Sequence, residues 1–567
     1  MTRPVLILLT IIALLQACNK PETADTILLN GNIYTVDAAT PQVEAIAIKG
    51  DRILKTGSNA EIEALKGSNT KVIDLKGQFV MPGFIEGHGH FSGLGASLIN
   101  LNFLKSESWD DIVQAVAEKA KTAKPGEWIT GRGWHQEKWI KPLDQQVEGY
   151  PYHDLLSAAA PNNPVLLRHA SGHSLFANKK AMELAGISLE TPDPAGGRIV
   201  RDSRGEALGV FEERAMSPIN DAYQEYLDKL SEAEKKAIWL QGIELAEQEC
   251  LSKGITSFED AGSSFQEIKW YKELAEQNAL DLRLWVMLRH SYADMKDHMD
   301  GFPIMNVGQH AFTCRALKSE VDGALGAFGA WLLKPYTDKP GFEGQNTTPV
   351  SEVQNIAQLA IDHNMQLCVH AIGDRANRVT LNIYEDIFKA HPGQKDLRWR
   401  IEHAQHLDTA DIPRFKSLGV IASMQGIHCT SDAPFVVKRL GETRSRLGAY
   451  PWRSLLDAGV LIANGTDAPV EDVSPIESFY ASVTRRRADS GLVFFAEQRM
   501  TRAEAIYSYT MANAYAAFEE DLKGSLQAGK LADLVVLSND LIQCADEEIL
   551  NTKIVMTMVG GKVKYGE

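Results

Sequence analysis

The sequence predicts an α/β protein: a (β/α)8 TIM-type barrel, with a composite β-sandwich domain drawn from both chain ends and an insertion after the first barrel strand. Three observations predict it. Along the middle of the chain, apolar strand-like runs alternate with amphipathic helical stretches. The two ends have a different texture, short alternating runs broken by turn residues. Several central runs also end in a His, Lys or Asp, and a parallel barrel keeps its site at the C-terminal ends of its strands.

The chain has 567 residues, too many for one ordinary domain but suited to a barrel with insertions or a second domain. It is 44% hydrophobic and 23% charged, a globular composition. A formal charge of −16 argues against a nucleic-acid partner and favours neutral or cationic small-molecule substrates.

At the N-terminus Arg3 precedes an apolar stretch, Val5 to Leu15, that is too short to span a bilayer; Leu15-Gln-Ala17-Cys18 follows. Residues 1–18 resemble a bacterial signal peptide with a lipobox. That resemblance implies export, lipidation of Cys18 and attachment to the periplasmic side of a membrane, with Asn19 favouring the outer membrane. The alternative is an ordinary export signal with a chance cysteine. Residues 19–25 read as a tether. Of the other cysteines, Cys250, Cys314, Cys368, Cys429 and Cys544, no two are closely spaced, so buried free thiols are expected and not a disulfide framework.

From Thr26 to Val80 the runs Ile27-Leu-Leu, Ala45-Ile-Ala-Ile, Arg52-Ile-Leu and Val72-Ile-Asp-Leu suggest antiparallel strands. Ala532-Asp-Leu-Val-Val-Leu537 and Ile554-Val-Met-Thr-Met-Val559 repeat the texture. Neither end makes a buried sheet alone, so residues 26–82 and 520–567 are expected to pair into one β domain. Residues 83–519 form the barrel. Nine strand-like runs occur there, one too many. The second, Pro164–His169, lies in a Trp- and Pro-rich stretch too long for one βα connection, which reads as an insertion over about 92–215.

With that run set aside, the polar strand ends fall into order. Strand 1 ends in His88-Gly-His90; residues two apart on a strand point the same way, about 7 Å apart at Cα, and two imidazoles can then converge on one cation. Strand 4 carries Lys318, strand 5 ends in His370, strand 6 in His403 and strand 8 in Asp467. Histidines with an aspartate suit Zn2+ best, with Mn, Fe or Co as alternatives. No CxxC pair argues for a thiolate site.

His88-x-His90, Lys318-Ser-Glu-Val-Asp322-Gly-Ala-Leu-Gly326, Val369-His370-Ala-Ile-Gly-Asp374-Arg375, Arg400-Ile-Glu-His403-Ala-Gln and Gly465-Thr-Asp467-Ala-Pro together resemble the amidohydrolase superfamily, in its amidohydrolase-3 (YtcJ-like) branch. The resemblance extends over almost the whole chain, including Gly529-Lys-Leu-Ala-Asp533-Leu-Val-Val-Leu. It implies a metal-activated hydroxide attacking a carbonyl or amidine carbon. By that resemblance His88 and His90 bind the more buried ion and His370 and His403 the other, with one or two ions left open. Lys318 matches a lysine carboxylated by CO2, whose carbamate would bridge two metals; the alternative is a lysine paired with Glu320 or Asp322. Asp467 would ligate the metal and shuttle the proton. His173, in Ala170-Ser-Gly172-His173, resembles a substrate-facing histidine, with a loop-packing role as the alternative. Trp134, Gln136, Glu212 and Asp374 are weaker substrate-binding candidates.

One departure stands out. Ala327-Phe328 occupies a place where the family commonly has Ser-Arg, so Phe328 is expected to make a pocket wall more apolar. The implied activity is hydrolysis of a C–N bond, in an amide or an N-acyl or N-formyl amine. Alternatives are a deaminase or cyclic-amide hydrolase on the same site, or a solute-binding lipoprotein on an inactive scaffold. The implied partners are a small-molecule substrate and a membrane reached through the lipid, with self-association left open.

Overall fold

The computed structural model describes residues 22–566, apart from 104–105, 137–138, 170–173, 195–196 and 327. Cys18, with the rest of the lipobox, and His173 lie outside the described residues. The described residues divide into two compact units, one of residues 22–91 with 247–566 and one within residues 92–246.

The first unit holds the barrel. Its strands are Phe84–Gly89, Ile255–Ser263, Arg283–Leu288, Phe312–Glu320, Gln366–Ala371, Arg400–His403, Ile421–Gln425 and Ile462–Gly465, hereafter barrel strands 1 to 8. They pair in parallel in that order. Strand 8 returns beside strand 1, where Asp467 N donates to His88 O at 2.7 Å and His90 N to Ala468 O at 2.7 Å. The eight-stranded α/β barrel is thus the one the sequence predicts. Its strands are almost wholly buried, which is why they read as continuous apolar runs and not as alternating ones. The interior also encloses charge: Arg400 of strand 6 pairs with Glu259 of strand 2, both buried, with the guanidinium 4.6 Å from the Trp285 ring centroid.

Both chain ends build the β structure beside the barrel. One sheet orders Arg52–Gly57, Ala45–Lys49, Ala24–Leu29 and Lys66–Asp74. The other orders Lys562–Gly566, Ile554–Val559, Leu534–Leu537, Phe79–Pro82, Asn32–Tyr34 and Gln42–Val43, so three strands from the C-terminal end join three from the N-terminal end in one ladder, meeting where Leu534–Leu537 pairs with Phe79–Pro82. Leu28, Ile46, Val80, Leu534 and Met556 share its core. The expectation of wholly antiparallel strands is corrected: Ala24–Leu29 runs parallel to Lys66–Asp74, and Asn32–Tyr34 parallel to Phe79–Pro82. The sequence texture cannot separate the two, because strand alternation is the same in either direction. The tether is also shorter than expected. Ala24 is buried and its N–H donates to Leu65 O at 3.0 Å, so the sheet already begins there.

The second unit has its own mixed sheet, ordered Gly197–Arg201, Ala207–Glu213, Ser174–Ala177, Val165–His169, Ile129–Trp134 and Leu101–Asn102. Pro164–His169 thus supplies a strand to this sheet and none to the barrel. The unit runs past Ala215 to Ala246, because the helix Ser217–Lys229 and the first part of Glu232–Ser252 go with it. Cys250, Cys314, Cys368 and Cys429 are free and buried; Cys544 is free but only half-buried.

Candidate metal centre

The six groups read from the sequence come together at one end of the barrel. His88, Lys318, His370 and His403 lie on strands 1, 4, 5 and 6, while His90 and Asp467 follow strands 1 and 8 by one and two residues. The ladder register sets Lys318 beside Cys368, and His370 beside Glu402 with Ala371 beside His403. Asp467 Oδ1 is 3.2 Å from His90 Nε2 and 3.6 Å from His88 Nε2. The His403 ring lies 4.7 Å from that of His88 and 4.4 Å from that of His370, centroid to centroid. One donor atom from each of His88, His403 and Asp467 lies within 4.8 Å of the others, and all three residues are buried.

The backbone bends to achieve this. His403 has φ 75° and Asp467 φ 61°, left-handed conformations that side chains with a Cβ seldom adopt. Such strain collects where function over-determines a residue's direction. It also explains how Glu402 and His403 can serve one site. On a regular strand neighbours face opposite sides, but the turn at His403 brings its ring round to the side that Glu402 already faces.

Three of these buried atoms, His88 Nε2, His370 Nε2 and Asp467 Oδ1, have no hydrogen-bond partner among the described residues. Burial, with the nearby Lys318 charge, pushes the His370 imidazole down to about 3 and lowers His88; burial and the neighbouring rings hold His403 well below its ordinary value. The imidazoles are therefore neutral and keep a lone pair each. Burial works to raise the Asp467 carboxyl, but the adjoining His90 holds it well below the usual range, as a carboxylate. Neutral imidazole nitrogens and a carboxylate that lack partners fit a divalent ion of the zinc type.

A surrounding layer orients these donors. His88 Nδ1 lies 2.5 Å from Glu402 Oε2. Burial works to raise the Glu402 carboxyl, but His88, Arg400 and Lys318 carry it down to about 2. It is thus an anion that accepts the Nδ1 proton and turns the Nε2 lone pair towards the site. His403 Nδ1 donates to Gln425 Oε1 at 2.7 Å with the same effect. Asp322, 3.9 Å from His370 Nε2, accepts backbone N–H bonds from Trp331, Ile372 and Gly373 at 2.7 to 2.9 Å, clamping the loop after strand 4 to the loop after strand 5.

Lys318 is buried; its ammonium donates to Ala261 O at 3.4 Å, and burial pulls its pKa down. Neither proposed salt-bridge partner takes it, since Glu320 pairs with Arg289 and Asp322 with the backbone. Among the described residues the group of donors that lie within 4.8 Å of one another joins His88 to His403 and Asp467, while the His90 side chain is about a third exposed, at 32%.

The weaker candidates fare differently. Trp134 is fully buried in the core of the second unit, and its indole N–H donates to Leu167 O at 2.8 Å, so it offers no face to a substrate. Glu212 is held by Arg198 at 2.9 Å and by the Tyr150 hydroxyl at 3.0 Å. Asp374 opens the helix Asp374–Ala390 and accepts Leu333 N at 2.7 Å, a structural task. Gln136 alone keeps a buried oxygen without a partner among the described residues. Phe328 does not make a purely apolar wall: the Arg439 guanidinium lies 3.9 Å from its ring centroid and donates to Gly326 O at 2.9 Å.

Comparison with known proteins agrees with this geometry. Residues 71–565 match the model of the amidohydrolase family. The chain belongs to that family. It is accordingly an amidohydrolase-family hydrolase on the barrel described above. The protein LONG AFTER FAR-RED 3 of Arabidopsis thaliana is 31% identical over 96% of this chain and 92% of its own. An N-substituted formamide deformylase of Arthrobacter pascens is 28% identical over 95% of this chain and 98% of its own. The crystal structure of an uncharacterized metal-dependent hydrolase from Pyrococcus furiosus is 28% identical, with a TM-score of 0.71 over 91% of this chain and 100% of that one.

Two groups at this amidohydrolase-family site escaped the sequence reading. Glu402 lies inside the Arg400-Ile-Glu-His403 motif, which by itself assigns it no role. His428 sits on the helix Gly426–Leu440 and not at a strand end, so the strand-end pattern does not point to it. A signal existed for it: strand 7 was the one strand among 4 to 8 left without a polar group.

Proposed function

We propose that this family member hydrolyses C–N bonds, with an amide or an N-acyl or N-formyl amine as substrate. One observation carries the reading. The unpartnered buried atoms of His88, His370 and Asp467 converge, with His403, where the imidazoles are kept neutral. His88, His90, His370, His403 and Asp467 would hold one or two divalent ions, with Zn2+ the best match to these donors. Such an ion supplies Lewis acidity at the scissile oxygen and lowers the pKa of water towards neutrality.

The chain's own groups do the rest. Burial lowers the Lys318 pKa and so eases formation of the neutral amine that CO2 requires, and a carbamate there would add anionic oxygen donors. Asp467 takes the proton released as water adds to the carbonyl carbon, then returns it to nitrogen as the C–N bond breaks. The likeness to a protein named as a deformylase of N-substituted formamides supports N-formyl amines as first candidates.

The test is metal analysis of the purified protein with a panel of N-formyl and N-acyl amines, scoring amine against ammonia before and after chelation. Amine release that chelation abolishes and Zn2+ restores is expected. Absence of both bound transition metal and chelator-sensitive release overturns the proposal. Asp467→Asn should remove turnover while leaving the circular dichroism spectrum unchanged; unaltered turnover refutes its assigned role.

We extend the proposal to location: the chain is exported and lipid-anchored through Cys18. No helix among the described residues is long and apolar enough to cross a membrane, so a lipid would be the means of attachment. Cys18→Ser should move the protein from the membrane fraction to the soluble one and abolish incorporation of labelled palmitate.

A further inference from the structure

The helix after barrel strand 7 brings a fifth histidine to the site. His428 is 6% exposed, and its ring stacks on that of His403 at 6.1 Å and 18°. Its Nδ1 lies 3.1 Å from the amide nitrogen of Gln405, itself buried. An amide nitrogen can only donate, so Nδ1 is the acceptor and the ring carries its single proton on Nε2.

That Nε2–H has no partner among the described residues. It faces Asp467 Oδ2 at 3.9 Å, beyond hydrogen-bond length. The two oxygens of Asp467 are thereby divided: Oδ1 turns to His88 and His90, and Oδ2 turns to His428. An atom about 2.8 Å from both His428 Nε2 and Asp467 Oδ2 would see them roughly 90° apart, so both groups can reach one reacting centre. A buried donor held in one tautomer, unpaired, and set beside the proton-accepting carboxylate has the form of a preorganised oxyanion donor.

We propose that His428 is a catalytic residue whose Nε2–H donates a hydrogen bond to the substrate's carbonyl oxygen as that oxygen becomes anionic. The proposal rests on the hydrolase reading above. As water adds, its oxygen forms the new C–O bond, its proton passes to Asp467 Oδ2, and the π pair moves onto the carbonyl oxygen. His428 stabilises that charge and keeps its own proton. When the π bond re-forms, the C–N pair leaves on nitrogen, which takes the proton back from Asp467. Gln405 acts through His428, as a positioning residue.

The experiment compares the zinc-loaded full chain with His428→Ala and His428→Gln, the latter retaining a side-chain N–H. Turnover of N-butylformamide should fall about 100-fold in kcat for His428→Ala, with KM within roughly threefold and zinc content unchanged, and His428→Gln should recover part of the loss. Calorimetric binding of methylphosphonate, a tetrahedral anion, should weaken about 10-fold in His428→Ala. Imidazole 15N spectra should show the His428 proton on Nε2. Unchanged kcat and unchanged methylphosphonate affinity in His428→Ala overturn the proposal, as does a proton on Nδ1 or a loss that tracks zinc content. If the wild type hydrolyses no formamide while methylphosphonate binding still depends on His428, the C–N reading fails and the anion-donor assignment stands.

Discussion

A buried imidazole serves a cation only if its proton is kept on the far nitrogen, and in this site that task falls to Glu402. Its carboxylate, 2.5 Å from His88 Nδ1, fixes the tautomer and raises the basicity of Nε2. Glu402→Gln preserves an acceptor but removes the charge, and should weaken zinc affinity by about 10-fold; Glu402→Leu removes both and should cost nearer 100-fold. Competition with a chromophoric chelator measures this directly, and equal affinity in all three proteins would show that Glu402 does not orient His88. The six groups read from the sequence were legible because each ends, or closely follows, an apolar run whose direction the barrel dictates. Glu402 was not, because strand alternation assigns it to the face opposite His403 until the left-handed turn at His403 is known. Trp134 and Glu212 misled for another reason. Residue type does not reveal whether a polar atom is already committed, as theirs are to Leu167 O and Arg198.

Between elements, the decisive junction is where strand 8 closes on strand 1. A Cβ on Gly465 would meet Glu86 Oε1 and the His88 N, each at 2.6 Å, and one on Gly87 would meet Asn464 O at 2.6 Å. The absence of side chains lets the two backbones approach closely enough for His88 O to accept Asp467 N and for Glu86 to accept Thr466 N at 2.5 Å. These contacts carry Asp467 to the histidines. Gly465→Ala must push the strands apart or twist one of them, at a cost of about 1–3 kcal/mol. Because Asp467 lies only two residues on, turnover and zinc content should fall by more than that stability loss explains. Thermal unfolding measured beside zinc content separates the two effects, and a stable variant with full zinc and turnover would show that this close approach does not position Asp467. The barrel order was legible from the strand count; this close approach was not, since a glycine before a strand end reads equally as a turn.

For the whole molecule, stability must depend on pH through groups that folding removes from water, and Glu247 is the clearest that lies away from the metal ligands. It sits on the helix Glu232–Ser252, accepts Asp281 N at 2.6 Å, and is pushed up to about 7 by burial. A carboxyl raised above its unfolded value of 4.5 binds its proton more tightly in the folded state. Its contribution is therefore fully present below about pH 4.5 and is lost as pH rises through about 7. At one unit per 1.36 kcal/mol the ceiling is about 3 kcal/mol, and local relaxation or water entry would reduce it to about 1–2 kcal/mol. Glu247→Gln keeps an oxygen for Asp281 N without the buried charge. Its melting temperature should match the wild type near pH 5 and exceed it at pH 8, with the difference opening between pH 5 and pH 7. A constant difference across that range would mean that Glu247 is ionised in the folded protein at all these pH values, and that the Asp281 hydrogen bond outweighs burial.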